Sequence, residues 1–538
     1  PSFPIIREDS CEFRLWLLHD KGGEEDPNPD DDDEIQGDDT IVPTEMEEKA
    51  SKLHPIYKLG ATSGPFNIRH GSIQPVMVHL ALTTNDDEML VHFATGNGEH
   101  GQTYVPVVMF GPQEDDVQSA NYSSSPRTSG AEVFMDVGHS TTYKASDMCQ
   151  APANVEEPGK FTSPKLLHSV TMTHLDPDST YYYKVGVVKR DQLNDSNPSV
   201  VWSDVYTFQS PLPPGTMPLV VDADGEHSAP LKFVVYADQG LPGYGNNDDA
   251  KRVLKFAARE ISSNGIRAVH HFGDLSYAQG AGHIWDAWLD MVAVFATTIP
   301  LMIGVGNHEY DHTAGGENGG DVSGVKSAGG YKPKWSNYQN DSSGECGVPV
   351  SKRFVMPSNG NGVFWYSFSS GLVHTIMISS EHDLSSGSDQ HRWLKQELAS
   401  VNRTLTPWLL VESHRPMYMI EDNPANTIMG EHIRDRIERL LYKYQVDIFL
   451  SGHYHAYFRA CGGLYKGKCH NGGPTHITIG TAGAELDKLP LLRKHWSAYH
   501  SAIWGYGRVT VYDANSLLFE FVSDEDGSVK DHTWLRKN

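Results

Sequence analysis

Ala268-Val269-His270-His271-Phe272-Gly273-Asp274-Leu275-Ser276-Tyr277 runs from a short apolar strand straight into a turn that carries an acid and a phenol. A buried strand ending in Gly-Asp is how an open α/β sheet presents polar groups at the carboxyl ends of its strands. The pattern recurs along the chain. Tyr236-Ala237-Asp238-Gln239-Gly240 follows a strand at Phe233–Ala237, and Gly306-Asn307-His308-Glu309 follows one at Leu301–Val305. Val411-Glu412-Ser413-His414 and Gly452-His453-Tyr454-His455 close two more, at Trp408–Val411 and Asp447–Leu450.

Working outward, further strands read at Val373–Ile378 and Ile477–Ile479, with helical periodicity at 249–262, 284–296, 388–400 and 431–444. Strands alternating with helices predict an α/β layered domain, 231–538, with an α/β/β/α order. Upstream the period changes from helical to twofold. Met89–Ala94 and Ser169–Thr173 alternate, so 71–212 reads as an all-β sandwich. Within it, Leu175-x-Pro177-x-Ser179-x-Tyr181-x-Tyr183-x-Val185 resembles the fibronectin type III signature, which implies a tyrosine corner at Tyr181. Pro211-Leu-Pro-Pro-Gly215 opens a linker, 213–230. Residues 1–70 read as irregular apart from one strand near Cys11–Trp16.

The five strand-end motifs form one chemical set. Two metal ions held close together require a bridging anion, which Asp274 supplies. Asp238, Asp274 and Tyr277 are oxygen donors suited to a hard trivalent ion. Asn307, His414 and His453 are amide and imidazole donors suited to a softer divalent ion. Each motif alone is a common turn; five in this order, each after an apolar strand, are hard to explain as packing.

The set resembles the calcineurin-like metallophosphoesterases over about 231–525 and, within them, the purple acid phosphatases. Asp238-Gln239-Gly240 lacks the histidine that the broad family places in its first motif, and Tyr277 is gained. The resemblance implies Asp238, Asp274, Tyr277 and His455 on a ferric ion, which the tyrosinate would colour. It implies Asp274, Asn307, His414 and His453 on a divalent ion, either zinc, iron or manganese. The implied reaction is hydrolysis of phosphate monoesters, with a metal-held hydroxide attacking phosphorus. A phosphodiesterase or nucleotide pyrophosphatase, a phytase, and a dead binding module are the alternatives. The larger plant-type members are further resembled by Thr142–Asn154, Gly344-Glu-Cys346-Gly-Val-Pro349, His414-Arg-Pro-Met-Tyr418 and Ala502–Asp526, the last part of a C-terminal segment at about 475–535.

Three departures stand out. Ala237 occupies a usual glycine. No histidine lies between His414 and His432, where the plant members carry a pair, so the leaving-group acid is not assigned. The additional N-terminal β domain of larger members is not recognisable.

Around the metals, His308 is the candidate proton carrier and phosphate contact, with a supporting imidazole as its other reading. Glu309 orients it. Arg415 has two readings, a bidentate phosphate grip or an ion pair with a carboxylate. Tyr418 is a further candidate substrate donor.

Composition bounds the partners. With 43 Lys+Arg against 69 Asp+Glu, the net charge of −26 disfavours nucleic acid and anionic membranes. It leaves a small phosphorylated substrate, since a metal site reverses the local field. Ten of the carboxylates fall within Glu24–Asp39, a solvated loop or, less simply, a calcium site. No stretch is long and apolar enough to span a bilayer, and no signal peptide is visible. Of five cysteines, Cys461 and Cys469 flank a Gly/Lys-rich hairpin and are paired here. Sequons at Asn121, Asn194, Asn340 and Asn402 give weak support for secretion. The family resemblance implies a secreted or vacuolar glycoprotein that forms homodimers.

Overall fold

In the computed structural model, residues 73–537 are described except 99–102, 123–132, 157–159, 196–197, 223–224, 243–249, 264, 311–321, 326–339 and 488–489. Four strand backbones nearer the N-terminus are described as well. The chain divides into two compact units, one of them 6–72. In that unit Arg14–Leu18 pairs antiparallel with Tyr57–Thr62, and Ser10–Cys11 with Phe66–Asn67. The single strand expected near Cys11–Trp16 is therefore two short strands, each with a partner. The acidic run Glu24–Asp39 lies outside the described residues.

The larger unit begins with a β-sandwich. One sheet orders Val76–Leu82, Met89–Thr95, Leu166–Met172 and His139–Thr141; the other centres on Thr180–Lys189 and Tyr104–Gly111. The Tyr181 hydroxyl accepts the Asp176 N–H at 3.0 Å, which is the expected corner. The linker is not bare: Leu219–Asp222 and Gly225–Ser228 form a hairpin.

Five strands carry the site and are named here: β1 (Leu231–Tyr236), β2 (Ile266–Phe272), β3 (Leu301–Gly304), β4 (Trp408–Ser413) and β5 (Ile448–Ser451). β1, β2 and β3 are parallel neighbours in a six-stranded sheet completed by the antiparallel C-terminal strands Gly505–Asp513, Ser516–Ser523 and Val529–Arg536. β4 and β5 are parallel neighbours in a seven-stranded sheet. Alternation along β4 shows how the layers form. Leu410 belongs to the core cluster that contains Ile477, Val509 and Phe519, while Leu409 and Val411 belong to the second cluster, with Leu394, Ile437 and Leu441 of the outer helices. Helices at Ala250–Ser263 and Gly282–Ala296 cover the other sheet, so the domain is layered as expected.

One helix differs from its expected bounds of 431–444. Helix α1 begins at Pro424 and runs to Ile433, then continues as a π-helical turn, Arg434–Glu438, and a last α-turn, Arg439–Lys443. Asn423 caps α1 through the N–H groups of Ala425 and Asn426, and Pro424 fills a first-turn position that has no N–H to lose.

Sandwich and layered domain are joined covalently. Cys149 pairs with Cys346 across 197 residues, and Cys461 pairs with Cys469 as expected. Beside the first bridge, buried Arg353 donates to Asp286 at 2.7 Å and to the Tyr143 hydroxyl. His92 Nε2 accepts the Val355 N–H at 2.9 Å, and the Tyr183 hydroxyl donates to the Thr297 carbonyl at 2.7 Å.

Candidate metal centre

Each of the five strands ends in a loop that turns a donor inward, and four of the donors achieve this in an unusual conformation. Asp238, Asp274, Tyr277 and His453 have φ of 61°, 51°, 52° and 65°. Non-glycine residues pay for the left-handed region, and such strain gathers where the surrounding structure fixes a functional geometry. Glycines make the approach possible. A Cβ at Gly306 would meet Asp274 Oδ1 at 2.2 Å, and one at Gly452 would meet Asp238 Oδ2 at 2.5 Å.

Two groups of donors result, and they share Asp274. Asp238, Asp274 and His455 form one; Asp274, His414 and His453 form the other, each with ligand atoms within 4.8 Å of one another. The Tyr277 hydroxyl joins the first, 3.2 Å from Asp238 Oδ1 and 3.1 Å from His455 Nε2. Asn307 Oδ1 joins the second, 3.0 Å from His414 Nε2. All seven residues singled out from the sequence thus converge. His414 and His455 direct Nδ1 at the carbonyls of Phe272 and Glu485, which turns each Nε2 toward the carboxylates, as in metal-ligating imidazoles.

The donor set fits a pair of cations. Buried carboxylates, a phenol, an amide oxygen and three imidazoles face one another, a mix of donors suited to shared cations. Protons substitute incompletely. Burial alone would lower the pKa of His414, but Asp274 and Asp238 outweigh it and raise it to about 9; Asp238 does the same for His455. Burial and Asp238 hold the Tyr277 phenol well above its ordinary value. His453 goes the other way: burial and the Arg415 guanidinium hold it well below the usual histidine range.

The residues around the donors have clear tasks. Glu309 is fully buried and accepts three backbone N–H groups, from Asp274, Leu275 and Gly306, at 2.8 to 2.9 Å. Its oxygens are committed to the loops, so it shapes the site rather than orienting His308. His308 lies against the Tyr277 ring, 4.5 Å between centroids, with Nε2 4.0 Å from Asp274 Oδ2. Arg415 takes the second of its two readings. It is buried, pairs with Glu381 Oε1 at 2.6 Å, and reaches His453 Nε2 at 2.9 Å. Tyr418 is no substrate donor here: its hydroxyl is given to Glu438 and accepts the Gly467 N–H.

Three neighbours were not legible in the sequence. Asp341 Oδ2 accepts the Asn307 amide at 3.1 Å, Glu381 anchors Arg415, and Asn426 Oδ1 lies 3.3 Å from His453 Nε2. Only Asn426 had a signal, since the Asn423-Pro424 cap places it on the first turn of α1.

Comparisons with known proteins agree with this geometry. Three family models match: the purple acid phosphatase N-terminal domain over 75–210, the calcineurin-like phosphoesterase over 231–457, and the iron/zinc purple acid phosphatase-like protein C over 473–532. The chain is 28% identical to a probable inactive purple acid phosphatase (number 9) of Arabidopsis thaliana, over 91% of this chain and 71% of that protein. It is 30% identical to a nucleotide pyrophosphatase/phosphodiesterase of Hordeum vulgare, over 65% of this chain and 92% of that one. The solved purple acid phosphatase from yellow lupin (Lupinus luteus) seeds superposes with a TM-score of 0.73 at 26% identity, covering 90% of this chain and 77% of that one.

Proposed function

This chain belongs to the purple acid phosphatase family, and on that premise we propose that it hydrolyses phosphate monoesters at a ferric–divalent metal pair. The observation that carries the reading is the convergence of all seven donors into two groups sharing Asp274. Asp238, Asp274, Tyr277 and His455 would hold the ferric ion. Asp274, Asn307, His414 and His453 would hold zinc, iron or manganese. When bound, such a pair neutralises phosphate charge and makes water nucleophilic near neutral pH.

The chain's own groups do the rest. Asp274 ties the two positions together, and Glu309 fixes its loop. His308, one-fifth exposed at its side chain, stands at the open side and holds or delivers a proton through Nε2. Burial, and after it the Arg415 guanidinium, holds the His453 imidazole neutral and therefore ready as a ligand. No carboxylic acid or imidazole occupies the Asn426 position beside His453. His308 is the group proposed here to give the leaving group its proton.

Two relatives favour other readings. The barley protein's name supports a diester or pyrophosphate substrate on the same site. The Arabidopsis relative's name supports a protein without turnover, and the buried, paired Arg415 is consistent with a weak phosphate grip. The complete donor set is the reason to prefer an active enzyme. The same proposal takes a small phosphorylated substrate, no nucleic-acid or membrane partner, and a homodimer. It also places the chain in a secreted or vacuolar, oxidising setting, on the strength of its two disulfides. Among the described residues no helix is long and apolar enough to cross a membrane.

The test is a visible absorption spectrum with metal analysis on the same sample, followed by turnover of a monoester and of a bis-ester. A broad visible band with iron present, and monoester turnover, is the expected result. A colourless protein with two divalent ions would remove the ferric assignment. Faster bis-ester turnover would favour the diesterase. A metal-free protein that takes up neither iron nor zinc would overturn the enzyme reading.

A further inference from the structure

Helix α1 reaches the metal centre only at its first turn, through Asn426. Farther along, the helix and its π-helical continuation line a separate cavity of about 830 Å³. That is the size of a small-molecule site. π-helical turns are rare and concentrate at functional places, and this one contributes Arg434, Asp435 and Glu438 to the wall.

The charges on that wall do not balance. Arg434 is spoken for: it pairs with Glu431 at 3.4 Å and covers the Tyr418 ring at 4.7 Å. Glu438 is spoken for by the Tyr418 hydroxyl and the Lys466 N–H. Among the described residues, Arg439, Lys466 and Lys494 make no ion pair, and the carboxylates of Asp435 and Glu438 stand against these three cations. Three exposed cations gathered at one cavity are out of keeping with a chain of net charge −26. The remaining lining includes the apolar or aromatic side chains of Met417, Met419, Tyr465, Leu492 and Trp496, with one face of the Tyr465 ring stacked on Tyr442 at 4.1 Å between centroids.

We propose that this cavity binds a small molecule that joins a planar ring to a phosphate chain, a nucleoside phosphate being the class. Arg439, Lys466 and Lys494 meet the phosphates, and the apolar lining around Tyr465 meets the ring. Binding here needs neither metal nor turnover, so the site stands or falls separately from the proposed hydrolysis.

The experiment is calorimetric titration of the full chain with adenosine 5′-(α,β-methylene)diphosphate, whose P–C–P link resists hydrolysis. Adenosine and inorganic phosphate serve as part-probes. The metal centre can also take phosphate, so the readout is the change caused by Arg439→Glu/Lys494→Glu, both exposed and remote from the donors. The double variant is expected to bind roughly tenfold or more weakly, or to lose one equivalent. His453→Ala is expected to keep that equivalent. Unchanged affinity and stoichiometry in the double variant would overturn the site, as would no binding by the wild type at about 1 mM. Inorganic phosphate binding as tightly as the nucleotide analogue would overturn the ring half of the assignment.

Discussion

The Asp274 N–H donates to Glu309 Oε2 at 2.8 Å, so the carboxylate common to both donor groups is held by a buried acid from the neighbouring loop. Glu309 also takes the N–H groups of Leu275 and Gly306. It thereby joins the ends of β2 and β3. Glu309→Gln keeps one accepting oxygen and turns an amide NH2 against the donor or donors of the other. Stability is expected to fall by about 1–3 kcal/mol, the cost of unsatisfied buried groups. Metal affinity is expected to fall by roughly 10- to 100-fold, as when a supporting group is lost. Thermal melts and metal titration measure the two; no change in either would show that the clamp is dispensable.

Asn307 and His308 are adjacent in sequence but have separable tasks. Asn307→Ala removes a donor from the divalent group while leaving Glu309's bonds intact. It is expected to weaken divalent metal uptake more than it lowers the melting temperature. His308→Ala removes no donor, so metal content is expected to stay full while kcat drops by roughly 10²- to 10⁴-fold. Full kcat in a fully metallated His308→Ala protein would remove it from proton transfer.

Acid is expected to destabilise the fold through histidines outside the metal centre. Burial holds His79 down to about 4, and His168, His271 and His476 down to about 3. The sign follows from folded values below the unfolded 6.5. These residues are neutral when folded, so their contribution is whole above about pH 6.5 and is lost as pH falls toward 4 and 3. Each pH unit costs up to about 1.4 kcal/mol per such residue. His476 is the cleanest probe, because it sits between the Tyr418 and Phe449 rings and neither ring nitrogen has a hydrogen-bond partner among the described residues. Denaturant midpoints between pH 7.5 and 4.5 should fall less steeply for His476→Phe than for the wild type. Equal slopes would count against the assignment.

The Cys149–Cys346 bridge closes a long loop between sandwich and layered domain. Cys149→Ser is expected to cost about 2–5 kcal/mol, chiefly by freeing the unfolded chain. Peptide mapping without reductant should recover the linked pair, and a melting temperature unmoved by the substitution would mean that the noncovalent contacts around Arg353 suffice.

The strands and their closing motifs were legible because each is a local pattern. An apolar run of four to seven residues followed by Gly and a polar group says where a strand ends and what stands there. That was enough to place the five motifs and to expect the layered domain and the sandwich; the resemblance to the purple acid phosphatases added His455 and completed the donor set. The start of α1 was missed because Asn423-Pro424 sits inside a stretch that otherwise reads as loop; its capping bonds decided the boundary. The pairing of Cys149 was beyond reach because its partner lies 197 residues away.

By itself, then, the sequence determined which residues stand at the ends of which strands, since strand periodicity and turn chemistry act over a few neighbours. The tertiary structure alone decided what those residues do beside one another. It gave Glu309 to three backbone N–H groups, Arg415 to Glu381 and the Tyr418 hydroxyl to Glu438. A buried polar group must find a partner, and which partner is in reach depends on how separate strands and loops are packed, which no local pattern records.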